Sequence, residues 1–158
     1  MGDIILNIAK GRINEYFSRV ANNDPANSAI IVVLLQAAEA DAVLIDYDDL
    51  ATLLAAAGNT EATFTNYARK TLTDADITDP TPDDTNNWQS ADMPDQTWTS
   101  AGGATNNTLA KLILCYDSDT TGGTDSNIIP FAAHDFVITT DGTDLIAQIN
   151  AGGAVRAS

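Results

Sequence analysis

A single cysteine, a single histidine and seven basic residues are the scarcest chemical resources of this 158-residue chain. One thiol, Cys115, cannot close an internal disulfide, and it excludes every metal site built from several cysteines. One imidazole, His134, excludes sites that need two histidines. The seven Lys and Arg stand against 22 Asp and Glu, a net charge of −15. A chain so poor in cations repels a phosphate backbone, because nucleic-acid binding depends on counterions released by Lys and Arg. An anionic membrane surface is disfavoured for the same reason. The longest apolar run, 29–35, falls far short of the roughly 20 residues a membrane helix requires. The first residues lack the charged and apolar regions of a signal peptide in their usual order. The expectation is a soluble acidic protein made in a cytoplasm, with neither nucleic acid nor membrane as partner.

Glutamate is nearly as scarce, since 19 of the 22 acids are Asp. Asp favours turns and Glu favours helices, so the bias predicts a loop-rich β protein. Hydrophobic residues make up 44% of the chain, the ordinary globular share. Chains of this length bury roughly 70% of their unfolded surface, enough for a core without staples.

Ile13, Tyr16, Phe17 and Val20 recur at helical spacing and predict an N-terminal helix, ended by Asn22-Asn23-Asp24-Pro25. Lys10, Arg12 and Arg19 make that segment locally cationic, either as a solvated face or as a docking surface. The run 29–35 is short and β-branched at its centre, which predicts a strand buried on both faces. Asp46 to Asp49 suit the start of a second, short helix carrying Leu50, Leu53, Leu54 and Ala57, with Gly58 as its terminator. Alternation over 64–73 predicts a half-exposed strand, and 74–87 reads as a long acidic loop. Further strands are expected at 96–101, 109–116, 127–131, 135–140 and 144–150, with Asp141-Gly142 as a tight turn. The fold class is therefore mainly β: an antiparallel β-sandwich or jelly-roll-like domain with an N-terminal helix and one short internal helix. Residues 1–24 form a helical arm and 25–158 a single β-rich domain.

Catalytic constellations are sparse. Asp135 adjoins His134, but neighbours on a strand point to opposite faces, and no Gly-x-Ser-x-Gly elbow occurs. Cys115 lies inside an apolar run and reads as a buried, inert thiol. Gly102-Gly103 and Gly122-Gly123 lack the lysine of a phosphate-binding loop and read as turns. The best metal candidate is the loop 117–125, whose Asp117, Asp119 and Gly122 match positions one, three and six of a calcium-binding EF-hand loop. Its twelfth position is Ile128 rather than the bidentate Glu, so Asp125 would have to serve instead, and the same residues also suit a plain hairpin loop. Trp88 and Trp98 fit either a sugar-binding platform or a core.

Particular words of the sequence carry more than these statistics. Lys10-Gly11-Arg12 with Tyr16, the run from Asn23-Asp24-Pro25-Ala26-Asn27-Ser28 into Ile30-Ile31-Val32-Val33, Asp46-Tyr47-Asp48-Asp49-Leu50 and Asn66-Tyr67-Ala68-Arg69-Lys70 stand in the first half. Pro94-Asp95-Gln96-Thr97-Trp98, Cys115-Tyr116-Asp117 and His134-Asp135-Phe136 follow in the second. In this order, over nearly the whole chain, they resemble a family of small virion structural proteins of tailed bacteriophages. The resemblance implies a non-enzymatic virion component made in the host bacterial cytoplasm. It implies a capsid decoration (cement) protein that binds the major capsid protein on the outer face of the head and assembles as a homotrimer. A tail or baseplate accessory protein contacting the host surface is the alternative. On this reading Lys10, Arg12, Tyr16 and Arg19 dock the shell or a neighbouring subunit, and no cofactor is needed beyond the calcium that Asp117, Asp119 and Asp125 would hold. The acidic loop would face solvent. A hydrolase built around His134 is the third reading.

Overall fold

The apolar run 29–35 becomes a strand buried on both faces, and the rest of the molecule is laid out around it. A computed structural model describes residues 2–150 and 153–157 of the chain. In chain order its elements are β1 (Ile4–Ile5), α1 (Ile13–Ala21), β2 (Ala29–Ala37), α2 (Asp41–Leu44), α3 (Leu50–Ala55), β3 (Thr60–Glu61), β4 (Lys70–Leu72) and β5 (Pro82–Asp83). There follow β6 (Trp88–Ala91), β7 (Gln96–Trp98), β8 (Lys111–Asp117), β9 (Ile128–Asp135), β10 (Leu145–Ala147) and β11 (Val155–Ala157).

The main sheet is six-stranded and runs β1-β9-β8-β2, with β3 and β4 both on the far edge of β2. Every pairing is antiparallel, and β2 lies against β8 from Ala29 opposite Asp117 to Leu35 opposite Lys111. Alternate residues of a strand face opposite ways. Ile30, Val32 and Leu34 therefore join one core and Ile31, Val33 and Leu35 another. The first core is closed by α1 and by two small sheets, β10-β7 and β11-β6-β5. The second is closed by Leu44, Leu50 and Leu53 of α2 and α3. The fold is mainly β, antiparallel and sandwich-like, as the sequence predicts. The α1 helix of the 1–24 segment lies on its own chain's sheet, with Ile13, Tyr16, Phe17 and Val20 buried.

Several boundaries move, each for a local reason. α1 ends at Ala21 through a Schellman motif rather than at the proline: Asn23 sits in the left-handed region (φ 49). There the Asp24 N–H donates to Arg19 O at 2.9 Å and the Asn23 N–H to Val20 O at 3.0 Å. Asp49 caps α3 as expected, accepting from the Thr52 N–H at 2.7 Å. That helix stops at Ala55 because Ala56 turns extended; Gly58 is not its terminator. A Cβ at Gly58 would run into the side chain of Glu39, so close approach is what requires glycine there. The one-turn helix α2 adds to the single internal helix expected.

Of the strand expected over 64–73, only Lys70–Leu72 forms. Asn66 has φ 69, and the Tyr67 N–H closes a turn onto Phe64 O at 2.9 Å. The strands expected at 127–131 and 135–140 give one long strand, Ile128–Asp135, and an irregular stretch joined to Thr108 by a bridge at Thr139. Pro130 lies within this strand. It has no N–H to donate, and the register shifts opposite it, between Leu114 and Cys115. Asp141-Gly142 does not make a hairpin of its two flanks, since β10 pairs with β7. The acidic stretch 74–87 includes β5, whose Asp83 accepts from the N–H groups of Thr85 and Asn86 and turns the chain into β6.

Candidate functional site

The expected docking residues divide. Lys10, Arg12 and Arg19 are exposed, whereas Tyr16 is only 1% exposed. Tyr16 stacks on Tyr116 with ring centroids 4.7 Å apart and planes 11° from parallel, and Phe131 tilts against it at 6.0 Å. Aromatic area of this kind belongs to the core, so Tyr16 is corrected from a contact residue to a core residue. Its phenol is pushed up mainly by burial. The helical period that puts Tyr16 inside puts Arg12, Glu15 and Arg19 outside. Glu15 lies between the two guanidinium groups, 2.8 Å from Arg19 Nε and 3.4 Å from Arg12 Nε. Arg19, then Arg12, holds the Glu15 carboxyl below its ordinary range. The Arg12 guanidinium also stands over the Tyr16 ring at 5.2 Å. Lys10 donates to Asn7 Oδ1 at 2.7 Å. The result is a ridge with three cations and one anion on an anionic protein.

The acidic stretch leans on the opposite flank of α1. Asn22 Nδ2 donates to Asp79 at 3.1 Å, and Asn14 Nδ2 to Gln89 Oε1 at 2.8 Å. Asp74, Asp76, Asp79 and Asp84 keep exposed positions there.

In the structure the acids of the expected calcium loop are engaged by other partners. Asp125 is taken by Arg69, whose Nη1 and Nη2 donate to its two oxygens at 2.6 and 2.9 Å. Arg69 grips Glu61 in the same bidentate way, both bonds being 2.8 Å. That guanidinium holds the Asp125 carboxyl below its ordinary range, a fixed partner where calcium would compete. Asp117 turns an oxygen to the Asp119 N–H, and Asp119 to the Thr121 N–H, each at 3.0 Å. Among the described residues no three His, Cys, Asp or Glu side chains come together as a metal-binding group. Asp117, Asp119 and Asp125 are thus corrected to turn-forming and ion-paired residues.

Trp88 and Trp98 do not form a platform. Trp98 is 1% exposed and donates its indole N–H to Ala68 O at 2.8 Å, while Trp88 is half-buried on the rim of a shallow groove with Pro82 and Asn14. Cys115 is fully buried, and burial pushes its thiol far up, as an inert core cysteine requires. His134 is half-buried, with Nδ1 3.3 Å from an oxygen of Asp3. It opens onto a groove of about 520 Å³ whose apolar floor includes Leu112, Leu114 and Ile149. Among the described residues, neither Ser, Thr nor Cys lines that groove.

One cluster escaped the sequence reading. Lys111 is wholly buried, with Nζ 2.8 Å from Asp41, 2.6 Å from Asp135 and 2.8 Å from Gly2 O. Its only sequence signal is a lone lysine opening an apolar strand. It fastens α2, β8, β9 and the N-terminal segment at one point. Comparison of the chain with models of protein families, with curated proteins and with solved structures finds no match.

Proposed function

We propose that this chain is a non-enzymatic structural protein of a bacteriophage virion, a decoration protein bound to the major capsid protein on the outer face of the head. The sequence words quoted above supply the family reading. The observation that carries it further is the ridge on α1. Its apolar side is locked into the core, so Arg12 and Arg19 are held outward, with Lys10 exposed just before the helix, on a chain of net charge −15. Such a ridge suits an acidic protein surface, on the shell or on a neighbouring copy. Homotrimers at sites of local three-fold symmetry would add a modest interface per subunit many times over, which is how a cement stiffens a shell. A high negative charge keeps subunits soluble and apart before assembly.

Immunogold electron microscopy of purified particles tests this reading. Gold spread over the heads is the expected result. Gold confined to the tail tip would transfer the protein to the tail or baseplate, and particles without gold would sink the virion assignment.

A further inference from the structure

A primary amine with no solvent contact is a nucleophile held out of water, and Lys111 is one, its side chain 0% exposed. β8 fixes its place, with Lys111 opposite Leu35 of β2 on one side and Asp135 of β9 on the other. Its Nζ stands 2.8 Å from Asp41 Oδ1 and 2.6 Å from Asp135 Oδ1, and donates to Gly2 O at 2.8 Å. One amine between two carboxyl groups holds the parts of an amide-forming reaction: a nucleophile, an electrophilic carboxyl carbon and a carboxylate to carry the proton.

The two acids are not equivalent. Asp41 Oδ2 accepts the Gly2 N–H at 2.8 Å, and a fixed backbone N–H steadies charge that gathers on a carboxyl oxygen. Asp41 Oδ1 is buried, and no donor among the described residues meets it at a hydrogen-bonding angle, although Nζ is 2.8 Å away. Nζ therefore sits within about 4 Å of the Asp41 carboxyl carbon, close to the roughly 3–3.5 Å at which oriented groups react. Burial pulls the Lys111 amine down, Asp135 and Asp41 push it up, and the net direction is up. The resting cluster is an ammonium between carboxylates, and the reacting form is one proton transfer away.

We propose that Lys111 and Asp41 condense to an isopeptide bond, with Asp135 carrying the proton. A proton passes from Nζ to Asp41 Oδ1, leaving an amine and a carboxylic acid. The nitrogen lone pair attacks the Asp41 carboxyl carbon and forms the C–N bond, while the C–Oδ2 π pair moves onto Oδ2 beside the Gly2 N–H. Asp135 takes a second proton from the nitrogen and returns it to Oδ1. The C–Oδ1 bond then breaks, water leaves, and Oδ2 becomes the carbonyl oxygen of a secondary amide. The third proton stays on the amide nitrogen, and no other reactant is consumed. Orientation drives the condensation, since fixed partners reach effective molarities of about 10⁵ M or more, far above the concentration of water. Until the bond forms, the cluster holds by charge alone. Once formed, it ties α2 to β8 covalently, whatever the protein's place in a virion.

Intact-mass spectrometry of the purified, denatured chain tests this. The wild type is expected at the mass of its sequence less one water, and a protease digest is expected to yield a branched peptide joining Asp41 to Lys111. Lys111→Arg and Asp41→Ala are each expected at the full mass of their sequences, with circular dichroism verifying that they fold. Asp135→Asn keeps both reacting groups and is expected at full mass for want of a proton carrier; complete loss of water in that variant would overturn the role of Asp135. A wild type at full mass, or a loss of water that survives Lys111→Arg, would overturn the bond itself. So would a digest that places the loss at Asp141-Gly142, where an Asp-Gly succinimide sheds the same mass.

Discussion

Lys111 and Arg69 show what single residues do here, since each converts a cation into a structural fastener. Lys111 has no solvent contact and sits between two partly exposed carboxylates. Lys111→Met keeps the aliphatic stem and leaves Asp41 and Asp135 unpaired. We expect a loss of about 3 kcal/mol in urea unfolding, the lower end for breaking a buried pair, because water still reaches the acids. Arg69 acts through pH. The Asp125 carboxyl lies below its ordinary value in the folded chain, so the unfolded chain binds more protons and stability rises with pH. The contribution is complete above the unfolded value of about 3.9 and is lost as pH falls through the lower folded value. Urea midpoints measured from neutral to strongly acidic pH should therefore drop in the wild type below about pH 4, and less steeply in Asp125→Asn.

At the scale of elements, the chain ends its helices with side chains suited to the task. Asn23 holds the left-handed position that closes α1, and Asp49 caps α3. Asn23→Val places a β-branched residue at φ 49 and should cost about 1–2 kcal/mol. Asp49→Ala should cost about 1 kcal/mol. Thermal melts of both, with Asn23→Gly as a control near wild-type stability, check the assignment. Both cap residues stood in the sequence at the ends of predicted helices. What the sequence hid was the continuity of β9 through Ala132, Ala133 and His134, and the turn at Asn66, because alternation over 64–73 imitates a strand.

At the scale of the whole molecule, one sheet divides two cores and every outer element is positioned by which core it closes. The loop 117–125 belongs to this arrangement through Arg69, which ties it to β3. A metal bound only to the folded state would raise its stability, so chelation would lower the melting temperature. With Asp125 already held by a guanidinium, we expect the same melting temperature in EDTA as in calcium. A drop in EDTA would restore the metal reading of Asp117, Asp119 and Asp125.

The sequence by itself determined the mainly β class, the strand 29–35 buried on both faces and the amphipathic helix that turns Arg12 and Arg19 outward. These are local properties, set by the period of side chains along a strand or helix. Tertiary structure decided the partners. Tyr16 lies on the apolar stripe that the helical period marks, but only the fold shows that Tyr116, a hundred positions away, stacks on it. Asp125 reads as a calcium ligand until β3 and the residue before β4 bring Glu61 and Arg69 beside it. Lys111 reads as an ordinary charge until Asp41 and Asp135 converge on it. In each case the environment that fixes a side chain's role is built from residues far away in sequence, and no periodicity records their approach.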